Sequence, residues 1–292
     1  MKRIFPSLAA LLTLLINYTS VARQKPDTYG KSLLWSITGK QLTKPSYLFG
    51  TIHLICVEDY IWTKQMKESL EKSDKVCFEM ALNDPAVMMQ VAGGLIDHSG
   101  KKLEDYFTPV QFALIKKYIT DSLSMDVAMF ANLKPIALQS IIGTAGLNCA
   151  NPISYEDSIM KTALKDNKEI LGLEAPQEQL NVLENIPTDT VISQLMDELQ
   201  NSNKNDTEYL QLIAAYKDQD LPTLYKLITT SNELGDNMDK FLDDRNKKWI
   251  ARMNDKMQRS SVFFAVGAGH LWGDNGVISL LRKDGYTVQP VQ

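Results

Sequence analysis

Apolar residues along the chain follow two rhythms. Short β-branched and aromatic runs, bounded by Gly, Pro and polar turns, read as strands over 33–37, 47–50, 75–80, 169–173 and 261–266, with a last strand opening at 285–288. The turn Thr38-Gly39-Lys40 and Pro45 lie between the first two runs and predict a hairpin. Longer stretches carry apolar residues at helical spacing: 62–73, 103–120, 134–142, 155–165, 176–184, 208–217, 222–229 and 238–257, with a short helix at 276–283. Pro176 near the start of its stretch suits the first turn of a helix. The polar stretch 201–207 reads as a loop, and Met88, Met89 and Phe130 as an apolar face, in a core or a groove.

One phrase occurs twice in this pattern. Tyr47-Leu48-Phe49-Gly50-Thr51-Ile52-His53-Leu54 and Phe264-Ala265-Val266-Gly267-Ala268-Gly269-His270-Leu271 each place Gly-x-x-His-Leu after a β-prone run. Each is followed by a helix and then another strand, so each reads as a strand–GxxH–helix–strand unit. The fold class expected is therefore α/β: a mixed β-sheet core built from two such repeated units, with a large helical insertion between them. The expected organisation is a signal peptide over 1–22, then a single domain over 23–292 whose insertion spans about 85–257.

Composition narrows the function. The chain has 292 residues, 44% hydrophobic and 23% charged, with a net charge of -4. An acidic chain with only scattered Lys pairs gives no basic patch, so nucleic acid is not an expected partner. Lys2 and Arg3 precede an apolar run over 4–16 that is short for a membrane span, and Ser20-Val21-Ala22 has a small-x-small cleavage pattern. Cleavage after Ala22 is expected, giving a secreted or periplasmic protein with no stable membrane span. Cys56, Cys77 and Cys149 are an odd set: one disulfide and a free thiol, or none, are both compatible with export, and no chemistry is assigned to them.

Two of the three histidines lie in the repeated phrase. Histidine is the commonest metal ligand and the usual acid or base near neutral pH. Glycines before it let the backbone turn and approach a ligand closely. His53, Glu79, Glu174 and His270 all fall at or just after strand ends. If those strands run parallel, the four side chains reach one sheet edge, where open α/β sheets bind ligands. Two imidazoles and one or two carboxylates suit a divalent transition metal. Blander readings stand beside these. Either histidine fits a hydrogen-bonded core position, Glu174 fits a helix N-cap before Pro176, and His98 fits a surface loop. Glu79 among apolar neighbours needs a partner or a raised pKa. Asp243, Asp244, Lys247 and Lys248 read as a solvated helix face.

Tyr-Leu-Phe-Gly-Thr-Ile-His, Val-Cys-Phe-Glu-Met, Leu-Gly-Leu-Glu-Ala-x-x-Glu-Gln, Asp-Arg-Asn-Lys-Lys-Trp and Val-Gly-Ala-Gly-His-Leu together resemble the TraB/GumN family over about residues 33 to 290. That family includes the animal TIKI proteases, which are metal-dependent and act on secreted Wnt proteins. The resemblance implies a sheet core related to the erythromycin-esterase and ChaN-like folds. It implies site roles for His53, His270, Glu79, Arg245 and Asn246, with Glu174 in the matching Gly-Leu-Glu segment and Asp157 where the family often has an acidic residue opening a helix. Trp272 stands where Pro or Phe is expected, at the pocket mouth. The function implied is a metal-dependent hydrolase, a peptidase acting on a peptide or protein substrate. His53, His270 and Glu79 would bind or flank a divalent ion (Mn, Co or Zn), Glu79 or Glu174 would accept a proton from water, and Arg245 with Asn246 would stabilise an oxyanion. Two alternatives follow from the same residues: a metal-independent hydrolase of the erythromycin-esterase type, and a non-enzymatic protein binding haem or a peptide.

Overall fold

A computed structural model describes residues 31–145, 149, 151–230 and 239–291. The expected signal peptide and its cleavage point lie outside the described residues. Strand runs condense into a six-stranded sheet of order β6-β4-β7-β2-β1-β8. Its members are β1 (Leu34–Thr38), β2 (Ser46–Thr51), β4 (Lys75–Phe78), β6 (Glu169–Gly172), β7 (Val262–Gly267) and β8 (Thr287–Pro290). The hairpin forms: β1 pairs antiparallel with β2 and, on its other side, with β8. β2, β4 and β6 run parallel to their neighbours in the order β6-β4-β7-β2. Because β8 and β2 both oppose β1, five strands share one direction within this mixed α/β sheet.

The central strands are buried on both faces, which is why they read as continuous apolar runs. All six residues of β2 are buried, as are five of the six in β7. Phe49, Phe78, Phe263 and Phe264 are fully enclosed, each contributing roughly 1.5–3 kcal/mol relative to exposure. The helix α10 (Asp244–Arg259) packs on this core through Trp249, Met253 and Met257, which recur every fourth residue on one face. Arg245 lies one turn earlier on that same face. Lys247 and Lys248 point to solvent, as expected of the charged positions, whereas Asp243 is half-buried and accepts a hydrogen bond from the Asn275 amide.

The interval between the two Gly-x-x-His segments folds into helices that surround a second hydrophobic cluster and also returns β6 to the edge of the sheet. Helices α1 (Lys64–Lys72), α3 (Pro109–Asp121), α4 (Pro135–Ala145), α5 (Tyr155–Lys165), α6 (Pro176–Glu184), α9 (Leu221–Thr230) and α11 (Val277–Lys283) fall where the periodicity put them. Three differences stand out. The stretch expected to be a loop over 201–207 is instead the start of α8 (Ser202–Lys217), since polar residues suit the first turns of a helix. α2 (Pro85–Gly94) and α7 (Thr188–Gln200) were not foreseen. α2 has no buried residue: Met88 and Met89 face outward, with Met89 75% exposed, and only Phe130 of that set joins a core.

A two-stranded sheet was also unforeseen: β3 (Ile55–Cys56) pairs antiparallel with β5 (Pro152–Ile153). Cys56 and Cys149 are joined beside it in a disulfide, with Cα atoms 5.8 Å apart. Cys77 is a free thiol buried in β4, and burial pushes its pKa up to about 12. No helix among the described residues is long and apolar enough to cross a membrane.

Candidate functional site

The parallel direction of β2, β7, β4 and β6 brings His53, His270, Glu79 and Glu174 to the carboxyl edge of the sheet. β2 and β7 are adjacent in register, with Gly50 opposite Val266 and Thr51 opposite Gly267, so the two Gly-x-x-His segments leave the sheet side by side. Gly50 is required by close approach: a Cβ there would lie 3.1 Å from the Ala268 Cα. On the other side, β4 and β6 hold the carboxylates together, and the Glu174 amide donates to the Glu79 carbonyl at 2.8 Å. Gly172 makes that approach possible, since a Cβ would stand 2.7 Å from the Ala81 amide.

Arg245 ties these groups together from α10. Its Nη2 donates to Glu79 Oε2 at 2.5 Å and to Glu174 Oε1 at 2.5 Å. Its Nε donates to Glu174 at 3.1 Å, and its Nη1 donates to the Phe241 carbonyl and to His270 Nε2, both at 3.2 Å. All five N–H donors of the guanidinium are thereby engaged. The side chain is 8% exposed and that of Glu174 only 2%. Burial alone lowers an arginine pKa, and the facing Glu79 and Glu174 carboxylates outweigh it, so Arg245 is held charged. Trp249 closes the back of the site: its Nε1 donates to Glu174 Oε2 at 3.1 Å, and its ring lies 4.4 Å from the His270 ring and under the Arg245 guanidinium.

His270 is 5% exposed and its tautomer is fixed by its partners. Arg245 has no acceptor, so His270 Nε2 accepts and Nδ1 carries the proton, which it donates to Asn246 Oδ1 at 2.7 Å. Asn246 is oriented in turn by donating to the Asn275 carbonyl at 2.9 Å. Burial pushes the His270 pKa down to about 3. Its ring is therefore neutral at ordinary pH, and its Nε2 stands 3.8 Å from Glu79 Oε1. Burial acts to raise the pKa of Glu79, but neighbouring positive charge and the Gly267 N–H, 2.9 Å from Oε1, bring it to about 2. That charge comes from His270 when it is protonated, then from Arg245 and His53.

His53 is the opposite case. Its side chain is 78% exposed, so it is no core histidine, and its Nδ1 faces Glu156 Oε1 at 3.4 Å. That carboxylate raises the His53 pKa to about 9. Glu156 was not among the expected site residues. The acidic position expected there was Asp157, which is exposed, while Glu156 is mostly buried. Helix phase decides between them: Ser154 caps α5 through the Asp157 amide, which turns the side chain before it inward. The signal available in the sequence was an acidic first turn directly behind a Ser cap. His98 lies on the surface with Nε2 on the Gly93 carbonyl, and Trp272 packs against the core below the second motif.

Imidazole and carboxylate donors are of the kind a divalent transition metal takes. His270 has its Nδ1 pinned by a second residue, as metal-ligating histidines do, Glu79 is ionised, and His53 is exposed to solvent. Among the described residues, however, no three His, Cys, Asp or Glu side chains gather into a group that holds an ion. The cation between the carboxylates in this arrangement is Arg245. An open recess between Tyr106–Thr108 and α7 contains none of these residues.

Comparison with known proteins finds distant relatives by sequence. The zebrafish (Danio rerio) protein named Metalloprotease TIKI2 is 25% identical over 88% of this chain and 60% of its own length. The Amphimedon queenslandica protein named Metalloprotease TIKI homolog is 23% identical over 98% of this chain and 68% of its own, and human Metalloprotease TIKI1 is 21% identical over 88% and 61%. The chain thus spans about three fifths of the length of most of these relatives. No solved structure matches it. The sequence profile of the TraB/PrgY/gumN family matches residues 33–290, nearly the whole described fold with both histidine motifs and the Arg245 helix, and the chain belongs to that family.

Proposed function

We propose that the chain is an exported, metal-dependent hydrolase that cleaves peptide bonds. The observation that carries this reading is the meeting of His53, His270, Glu79, Glu174 and Arg245 at one sheet edge, in a family whose curated relatives are named metalloproteases. His270 through Nε2, Glu79 and His53 are the residues that would hold the ion. A divalent ion there supplies an acidified water and polarises a carbonyl. Asn246 keeps the His270 lone pair directed into the site. Glu174 has both oxygens bonded to Arg245 and Trp249, so its part is to anchor Arg245, and Glu79 is the carboxylate left to exchange a proton with water. Arg245 reaches an oxyanion only by releasing a present acceptor, and its neutral acceptors are the Phe241 carbonyl and His270, both at 3.2 Å. The Cys56–Cys149 disulfide supports an oxidising compartment, in keeping with export.

The test is hydrolysis of labelled casein by the purified chain with Mn, Co or Zn, with chelator, and with His270→Ala. Activity that survives both the chelator and the substitution sinks this reading.

A second reading has its own support. The environments of the two histidines push their pKa values apart, to about 9 for His53 and about 3 for His270. Such a split suits an acid and a base acting without a metal, with Arg245 as the resident cation. Full activity in protein that carries no metal selects this reading over the first.

A further inference from the structure

Glu156 lies outside the expected site residues, yet its surroundings are built around one task. Its side chain is 13% exposed and its Oε1 faces the His53 imidazole at 3.4 Å. The Thr51 hydroxyl, at the end of β2, donates to the same Oε1 at 2.7 Å, and the Ser154 hydroxyl donates to Oε2 at 3.2 Å. Two hydroxyls thus fix the carboxylate plane, one from the strand that presents His53 and one from the cap of α5. The backbone on both sides is fixed too. β3 begins two residues after His53 and β5 ends three residues before Glu156, and these two strands pair with each other. The Cys56–Cys149 disulfide joins the same two segments covalently. An exposed histidine on a turn is otherwise free to choose among rotamers and tautomers.

We propose that Glu156 is the positioning residue of His53: it takes the Nδ1–H and thereby frees Nε2 to act on the side of Glu79 and His270, with the β3–β5 pair and its disulfide setting the distance between the two side chains. Glu156 itself touches no substrate. The inference deepens the proposed function, since it rests on His53 being a working group of the site.

The experiment reads the contact and its consequence separately. The chain has three histidines, so the ring nitrogens of the full ¹⁵N-labelled protein give three separable patterns at fixed pH. Glu156→Ala is expected to change the His53 pattern and leave His98 as it was. Thr51→Val, which frees Oε1 without removing the carboxylate, is expected to change it less. The disulfide-free Cys56→Ser/Cys149→Ser chain is expected to move His53 in the same direction as Glu156→Ala. In labelled casein hydrolysis, kcat is expected to fall about 10–100-fold in Glu156→Ala with KM within a factor of about two, and to recover in part in Glu156→Asp. An unchanged His53 pattern in folded Glu156→Ala and Thr51→Val overturns the proposal. So does a wild-type kcat in Glu156→Ala when His53→Ala has lost activity. If the wild-type chain hydrolyses nothing, the proposed function fails, and the ring-nitrogen patterns still decide whether Glu156 sets His53.

Discussion

Nη1 of Arg245 stands 3.2 Å from Nε2 of His270, a fixed cation donating to the lone pair of a neutral imidazole. The contact joins the two halves of the site. Arg245 belongs to the carboxylate side through Glu79 and Glu174, and His270 to the side of the histidine motifs.

Replacing Arg245 by Met leaves Glu79 and Glu174 ionised without their partner in a buried place. The expected loss is about 3–5 kcal/mol, the usual result of removing one member of a buried pair. Denaturant unfolding of Arg245→Met against Arg245→Lys measures it, with Lys recovering part of the loss. Equal stability of Met and wild type would show that the carboxylates do not depend on this guanidinium.

Asn246→Asp keeps the size of the side chain and adds a charge 2.7 Å from His270 Nδ1. A carboxylate there favours imidazolium, so the pKa of His270 is expected to rise from about 3 and its Nε2 to become protonated nearer neutral pH. Ring NMR across pH follows this directly. Hydrolysis is expected to drop as pH falls below the new pKa, where Nε2 carries a proton and its lone pair is lost. A His270 that stays neutral to pH 4 in this variant contradicts the assigned tautomer.

Stability is expected to fall on the acid side. The unfolded His270 takes a proton near pH 6.5, whereas the folded residue refuses it down to about 3. Its contribution is present in full above 6.5, declines as pH falls, and is gone below about 3. Glu79, held below its ordinary value by neighbouring positive charge, adds loss of the same sign over its own range. His53, raised to about 9, works the other way: its contribution is present below 6.5 and is lost as pH rises through 9. Melting temperatures of wild type and His270→Asn between pH 7 and pH 3 separate the effects, with a shallower acid slope expected in the variant. Parallel slopes rule out His270 as the cause.

Gly172→Ala places a methyl carbon 2.7 Å from the Ala81 amide, a backbone atom three residues past the end of β4. An expected cost of about 1–3 kcal/mol comes with separation of Glu174 from Glu79, because the 2.8 Å bond between their backbones lies beside the clash. Arg245 then bridges a wider gap, and Trp249 fluorescence is expected to shift with it. An alanine variant with native stability and native Trp249 emission argues against this tight approach.

Particular residues show where the sequence was legible. His53, His270, Glu79 and Glu174 were found because each follows an apolar strand, and strand direction alone carried them to one edge. The parallel pairing itself was an assumption until β7 was seen between β2 and β4. Arg245 and Asn246 were found by resemblance alone, as their helix reads from its charges as a solvated face. Their burial follows from the Trp249, Met253 and Met257 stripe, a pattern visible once the phase of α10 is known. α2 was missed because an apolar helix without a buried residue has no polar face to mark its period.

By itself, then, the sequence determined the elements that hold the chemistry: strand runs, helix stripes, and the two Gly-x-x-His turns, all set by local spacing and backbone sterics. Tertiary structure alone decided which partners those groups meet. Glu156 in place of Asp157 beside His53, Cys56 with Cys149 and not Cys77, and Arg245 across both carboxylates are each choices between residues the sequence presents on nearly equal terms. One residue of helix phase turns a side chain by about 100°, and contacts across a hundred residues depend on how elements pack, which no local pattern encodes.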